Sequence, residues 1–172
     1  MSEKFPGRKT VFTTPWFQVQ AAAGDGTLPN YSINSPDFVC IIAVTEKHEL
    51  LLVRQFRHAV AELTLELPAG HVEKDETPEQ AARKELLEET GHVAEKFELL
   101  ASLSPSLSRF TSRMWCYFAA DARLVPNAEI EAGLICVRWT KDLKSLLQEP
   151  DFYSGGNWAA LLAAVARGKL QI

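Results

Sequence analysis

The sequence predicts an α/β fold in which a mixed β-sheet is flanked by helices. Three observations lead there. The chain has 172 residues, the size of one domain with a sizeable core. Its 47% hydrophobic and 23% charged residues strike an ordinary globular balance, which argues against disorder. Strand-like and helix-like segments follow one another without strict βαβ alternation, which argues against a doubly wound parallel sheet.

The elements read in order as follows. Two short strand-like pieces, near 16–21 and 31–33, flank a turn at Gly24, Asp25 and Gly26. Residues 1–36 therefore read as an N-terminal hairpin beside a main domain of residues 37–172. That domain opens with a β-rich run at 38–44, a polar turn at Glu46, Lys47 and His48, and a second strand at 50–56. A third strand at 63–67 is ended by Pro68 and Gly70. A helix follows over about 78–89, then strands near 97–103, 114–119 and 134–139. A last helix over 158–167 carries Trp158, Leu161, Leu162 and Val165 at the 3.6-residue period.

Charge and composition narrow the partners. A net charge of -4 argues against a broad nucleic-acid surface, which needs basic excess to displace counterions. Cys40, Cys116 and Cys136 are odd in number, widely spaced and set in apolar runs. They read as buried reduced thiols rather than disulfides or a zinc site. The first ten residues lack the apolar stretch of a signal peptide, and no segment has the apolar length to span a bilayer. The expected location is the cytoplasm, with no membrane partner.

The helix over 78–89 carries the chemistry. Thr77 and Gln80 form a capping box, Pro78 suits the first helical position, and Gly91 suits the left-handed stop. Glu85, Glu88 and Glu89 stand at i, i+3 and i+4, which puts three carboxylates on one face. They repel one another and sit at the end of the helix dipole that disfavours acids. Two readings follow from the glutamates alone, and they stand about even: a solvated acidic face, or a site for a hard divalent cation.

The surrounding pattern favours the second. The stretch runs Gly70, five residues, Glu76, seven residues, then Lys84-Glu85-Leu86-Leu87-Glu88-Glu89-Thr90-Gly91-His92. It resembles the Nudix box, Gly-x5-Glu-x7-Arg-Glu-U-x-Glu-Glu-x-Gly-U with U apolar. Both glycines, all four glutamates and Leu86 match. Lys84 stands where the box has Arg, and His92 stands where it has an apolar residue. The resemblance implies an α/β/α sandwich and catalysis with Mg2+ (or Mn2+). It implies ligation by Glu85, Glu88, Glu89 and the backbone carbonyl of Ala69 or Gly70. It implies that Glu76 and Lys84 orient the carboxylates. Lys keeps the charge of Arg but not its planar fork, so a looser orientation is expected. His92 reads as a loop residue or a helix-end cation rather than a ligand.

Two further stretches, Arg54-Gln55-Phe56-Arg57 and Glu66-Leu67-Pro68-Ala69-Gly70, are similar to the ADP-ribose and nucleoside-diphosphate-sugar pyrophosphatase branch. That likeness implies a diphosphate or sugar contact for Arg57, with Arg54 and Glu66 as further candidates. It implies N-terminal strands exchanged between the subunits of a homodimer, with Trp16 and Tyr31 stacking on the adenine. It implies a loop carboxylate as general base, and Glu131 is preferred to Glu129. Leu107-Ser108 stands where the branch has a Pro-Gly pair. Arg109 and Arg113 in the same loop meet a phosphate or sugar, or form a plain basic loop. The expected function is metal-dependent hydrolysis of ADP-ribose or a related nucleoside-diphosphate sugar, giving a nucleoside monophosphate and a sugar phosphate. The alternatives are another nucleotide substrate (a dinucleoside polyphosphate, GDP-mannose or NADH) and a nucleotide-binding domain without turnover.

Overall fold

A computed structural model describes residues 7–23 and 28–171. The elements run β1 (Lys9–Thr13), β2 (Gln18–Ala22), β3 (Asn30–Asn34), β4 (Phe38–Thr45), β5 (Leu50–Arg57), β6 (Glu62–Glu66), β7 (Ala69–His71) and α1 (Pro78–Thr90). They continue with β8 (His92–Val93), β9 (Phe97–Leu103), β10 (Met114–Leu124), β11 (Ile135–Trp139), α2 (Leu143–Leu146) and α3 (Gly155–Ala166).

The main sheet follows the order β11-β5-β4-β10-β8, with β6 beside β5, β7 beside β4 and β9 beside β10. Only β4 and β10 run parallel, so the sheet is mixed. β4 lies at its centre, and its alternate residues serve two cores. Val39, Ile41 and Ala43 pack with Ala81, Ala82 and Leu86 of α1. Cys40 and Ile42 pack with Ala160, Leu161 and Ala164 of α3. A strand covered on both faces must be apolar at every position, which is why 38–44 reads as a continuous run. Helix, sheet and helix form an α/β/α sandwich. No helix among the described residues is long and apolar enough to cross a membrane. All three cysteines are free thiols.

The N-terminal part departs from the expected hairpin. β1 was not expected, and it makes the unit a three-stranded antiparallel sheet in the order β1-β2-β3. The turn expected at Gly24–Gly26 lies outside the described residues. Trp16 is not in a strand. It sits in the β1–β2 turn, where the Thr14 hydroxyl accepts from the backbone N–H groups of Trp16 and Phe17 at 3.1 and 2.9 Å. Such hydroxyl-capped turns compete with strand pairing.

Three other departures have local causes. β7 resumes pairing directly after Pro68, because β4 still needs a partner for its edge. β10 runs past Ala119 through a bulge at Asp121 (φ 55°), which bends it to meet β8. In α3 the buried face is Asn157, Ala160, Leu161 and Ala164, whereas Trp158 and Leu162 are exposed. Alanine allows the close approach of helix to sheet, so Ala160 and Ala164 go inward beside Leu161 while Trp158 and Leu162 stay outward.

Candidate active site

α1 begins and ends as its sequence dictates. Thr77 accepts from the Gln80 N–H at 3.3 Å, and the Gln80 side chain accepts from the Thr77 N–H at 2.8 Å. Gly91 takes φ 71°, and its N–H donates to the Leu87 carbonyl. The helix is thereby fixed in length and phase against β4 and β7. Its final turn lies at a cleft of about 610 Å³.

The carboxylates occupy graded depths. Glu89 is buried, and its Oε2 accepts from the Ala69 N–H at 2.8 Å. Glu85 is half-buried and lies directly over Gly70, whose missing side chain makes its room. Glu88 is exposed, and its backbone carbonyl accepts from the Glu131 N–H at 2.8 Å. That bond brings the loop before β11 onto α1. Glu131 lines the cleft together with Ala69, Gly70, Glu85 and Glu89; Glu129 does not.

Charge is left unbalanced here. Among the described residues, no Lys or Arg pairs with Glu85, Glu88, Glu89 or Glu131. Burial raises the Glu85 carboxyl to about 7, with Lys84 opposing and Glu88, Glu131 and Glu76 adding to the rise. Burial raises Glu89 to about 8; the Ala69 N–H opposes, and Glu85 and Glu131 add. Among the described residues, no three His, Cys, Asp or Glu side chains come together as a group that could hold a metal ion. The donors still fit Mg2+, which commonly takes one or two carboxylates and completes its shell with water and substrate phosphate.

A pH dependence follows. The folded chain holds protons on Glu85 and Glu89 that the unfolded chain has already released. The metal-free protein should therefore lose stability as pH rises from about 6.5 to about 8. Below that window His92 contributes in the opposite sense, because burial lowers its pKa. Thermal melts in chelator should show the melting temperature falling across this window; a flat or rising profile would contradict it.

The other expected site residues divide into three groups. Arg57 and Glu66 meet in a two-pronged pair, Nε to Oε1 at 2.8 Å and Nη2 to Oε2 at 2.7 Å, with Arg57 lining the cleft. Burial would raise the Glu66 carboxyl, but Arg57 and Thr64 outweigh it and hold it below the ordinary value. Trp16 lines the same cleft from its turn. Lys84 also lines the cleft, bonds Glu73 at 2.7 Å, stands 3.7 Å from Glu76 and opposes the rise of the Glu85 carboxyl. Arg54 is paired with Asp151 at 2.6 Å and does not line the cleft. Tyr31 is exposed on β3 and also lies outside it, so one chain does not bring Trp16 and Tyr31 together.

His92 is corrected. It is a buried imidazole with a lowered pKa, not a helix-end cation. Its Nδ1 lies 2.7 Å from the Thr90 carbonyl, which requires the proton on that nitrogen. It thus fills the box's apolar position as a neutral, internally bonded ring. Sequence reasoning missed Glu73, Thr64, His58 and His71. Thr64 had a signal, since it lies two residues before Glu66 on the same strand face. Its hydroxyl donates to Glu66 Oε1 at 2.6 Å. His58 and His71 line the cleft beside Arg57 and Gly70, with no spacing signal of their own.

Comparison with known proteins agrees with this geometry. Residues 35–153 match the model of the NUDIX domain. The chain is 38% identical to the ADP-ribose pyrophosphatase of Bacillus subtilis (strain 168) over 43% of this chain and 40% of that protein. It is 32% identical to the ADP compounds hydrolase NudE of Escherichia coli (strain K12) over 72% of this chain and 67% of that one. The chain thus spans about two fifths of the first relative's length and two thirds of the second's. A crystal structure of an ADP compounds hydrolase superposes with a TM-score of 0.75 at 25% identity, covering 95% of this chain and 94% of that one. With the capped glutamate helix lying over Gly70 and a domain match that covers β4 through α2, this chain belongs to the Nudix family.

Proposed function

We propose that the protein hydrolyses the diphosphate bond of ADP-ribose or a related nucleoside-diphosphate sugar with the help of Mg2+ or Mn2+. The observation that carries this reading is the cleft itself. It joins uncompensated carboxylates, a braced guanidinium and an exposed indole, which suit in turn a cation, a diphosphate and a base. The printed names of the relatives, an ADP-ribose pyrophosphatase and ADP compounds hydrolases, support the substrate class.

Glu85, Glu88 and Glu89, with the Ala69 carbonyl, would hold the cation. When bound it supplies charge neutralisation of the diphosphate and a hydroxide nucleophile at neutral pH. Glu131 takes a proton from the attacking water. The water oxygen bonds one phosphorus as the bridging P–O bond breaks, leaving a nucleoside monophosphate and a sugar phosphate. Arg57, its plane fixed by Glu66 and Thr64, donates to the diphosphate or the terminal sugar. Trp16 stacks on the base. Lys84, bonded to Glu73 and close to Glu76, ties the loop before α1 to the helix and favours the charged form of Glu85.

The N-terminal sheet fits exchange within a homodimer. β1 is exposed along its whole length, with Val11 and Phe12 uncovered, and Tyr31 is exposed on β3. A second copy covering this sheet would bring Tyr31 to a base and make residues 1–36 a dimerisation unit.

Purified protein with ADP-ribose and Mg2+ should release AMP and ribose 5-phosphate, and chelator should stop it. Tight binding without products would overturn the hydrolase reading in favour of a binding domain. Faster turnover of GDP-mannose, NADH or a dinucleoside polyphosphate would keep the chemistry and change the substrate.

A further inference from the structure

The last four carbonyls of a helix have no partner within it, and a buried one needs a donor from elsewhere. At the end of α1 the Leu87 carbonyl accepts from the Gly91 N–H at 2.8 Å, and the Glu88 carbonyl accepts from the Glu131 N–H at 2.8 Å. Just beyond, the Gly91 carbonyl accepts from the Val125 N–H at 2.9 Å. The helix end that carries Glu88 and Glu89 is thus tied by main-chain bonds to the loop that carries Glu131.

The Thr90 carbonyl is satisfied by a side chain instead. Thr90 is 1% exposed, and among the described residues no main-chain N–H is bonded to its carbonyl. Its partner is the His92 ring, whose Nδ1 donates at 2.7 Å. His92 is itself only 3% exposed. Its backbone is held on two sides. The His92 N–H donates to Thr90 Oγ1 at 3.3 Å, and on β8 it pairs with Leu124 of β10. Thr90 Oγ1 in turn donates to the Leu86 carbonyl. These bonds form a ring around the final turn of α1. An apolar residue in place of His92 would fill the space but leave a buried carbonyl without a donor, which costs more than the bond itself contributes.

We propose that His92 is a positioning residue of the catalytic helix: its Nδ1–H completes the C-terminus of α1 and holds the turn bearing Glu88 and Glu89 in phase with Glu131. The effect on rate rests on the hydrolase reading; the effect on the helix does not. The role belongs to the neutral ring. Burial disfavours its charged form and Arg138 on β11 adds to that, while the Thr90 carbonyl and Glu49, just before β5, oppose it. The contribution of the ring to stability is therefore present above the ordinary histidine value of about 6.5 and lost as pH falls below it.

The test compares His92→Leu, which fills the space without a donor, with His92→Asn, which keeps an N–H donor and does not titrate. Imidazole nitrogen NMR spectra of the unaltered protein at a pH of about 7.5 should show the His92 proton on Nδ1. The other tautomer overturns the proposal. Hydrogen exchange of the Glu131 N–H is measured against the Ile41 N–H, which is bonded to the Pro68 carbonyl at 2.8 Å in the central strand. It should speed about tenfold in His92→Leu and return toward normal in His92→Asn. With ADP-ribose and Mg2+, kcat should fall about tenfold in His92→Leu with KM changed by less than about twofold, and His92→Asn should recover most of it. Melts in chelator should show the unaltered protein losing stability relative to His92→Asn as pH falls from about 7 to about 5. Unchanged Glu131 exchange or unchanged kcat in His92→Leu overturns the proposal, and so does a stability difference that ignores pH. Equal losses in both variants overturn it too, because the ring would then be a filler of the core. If the unaltered chain does not hydrolyse ADP-ribose, the hydrolase reading fails, and Glu131 exchange still decides the role of His92.

Discussion

Glu85→Gln is expected to lower hydrolysis on the order of a thousandfold and to leave the metal-free fold at least as stable. Glu85 lies over Gly70 and lines the cleft with Lys84 and Glu131. Gln keeps its shape and removes its charge. Polarisation of a phosphoryl oxygen by a bound cation is worth several kcal/mol, and each ~1.4 kcal/mol is a factor of ten in rate. The stability change has the opposite sign. The carboxyl titrates at about 7 because burial and the neighbouring glutamates disfavour its charge, with Lys84 compensating only in part. An amide at that point removes a repulsion. Melting curves in chelator at a pH of about 8 should place the variant at or above the unaltered protein. Near-normal turnover would sink the mechanism. A lowered melting temperature would show that the carboxylate serves the fold, which the charge balance argues against.

That opposition between stability and function explains what was legible in the sequence. The glutamates stand out because nothing local favours them. They sit at the unfavourable end of a helix, where local stability alone would not place them. β4, β5 and β9 were legible because they are long and apolar. β7, β8 and α2 span only 3, 2 and 4 residues, and their existence depends on partners that local pattern does not encode. β1 was hidden for the same reason, since its Lys9–Thr13 sequence pairs only with β2. On α3, Leu161 and Val165 were read correctly as core-facing, but Trp158 and Leu162 were not, because periodicity ranks large residues first while contact with the sheet selects Ala160 and Ala164. At the site, Lys84 was read with Glu76 as orienting the carboxylates, and what stayed hidden was its bond to Glu73, a loop residue whose distance in sequence gives no helix or strand signal. Arg57 and Glu66 were named separately, yet the structure makes them one braced unit with Thr64.

Gly70→Ala should disable the enzyme nearly as thoroughly as Glu85→Gln, with little loss of stability. A Cβ built on Gly70 would fall on the carboxyl carbon and Oε1 of Glu85, well inside contact distance. The obstacle is the end of a flexible side chain, not backbone. The conflict can be relieved by swinging Glu85 away, at a stability cost of about 1 kcal/mol for an off-rotamer side chain. The β4–β7 pairing of Val39 with Gly70 needs no glycine, so the sheet should hold. The displaced carboxylate, however, no longer faces the cation site, and a misplacement of about 1 Å costs on the order of a hundredfold in rate. A double-variant cycle decides whether the loss runs through Glu85. If it does, adding Gly70→Ala to Glu85→Gln should cost far less than Gly70→Ala costs alone, because the group it displaces has already lost its charge. Full additivity would mean that the glycine matters for another reason, such as close approach of the substrate to the Ala69–Gly70 backbone.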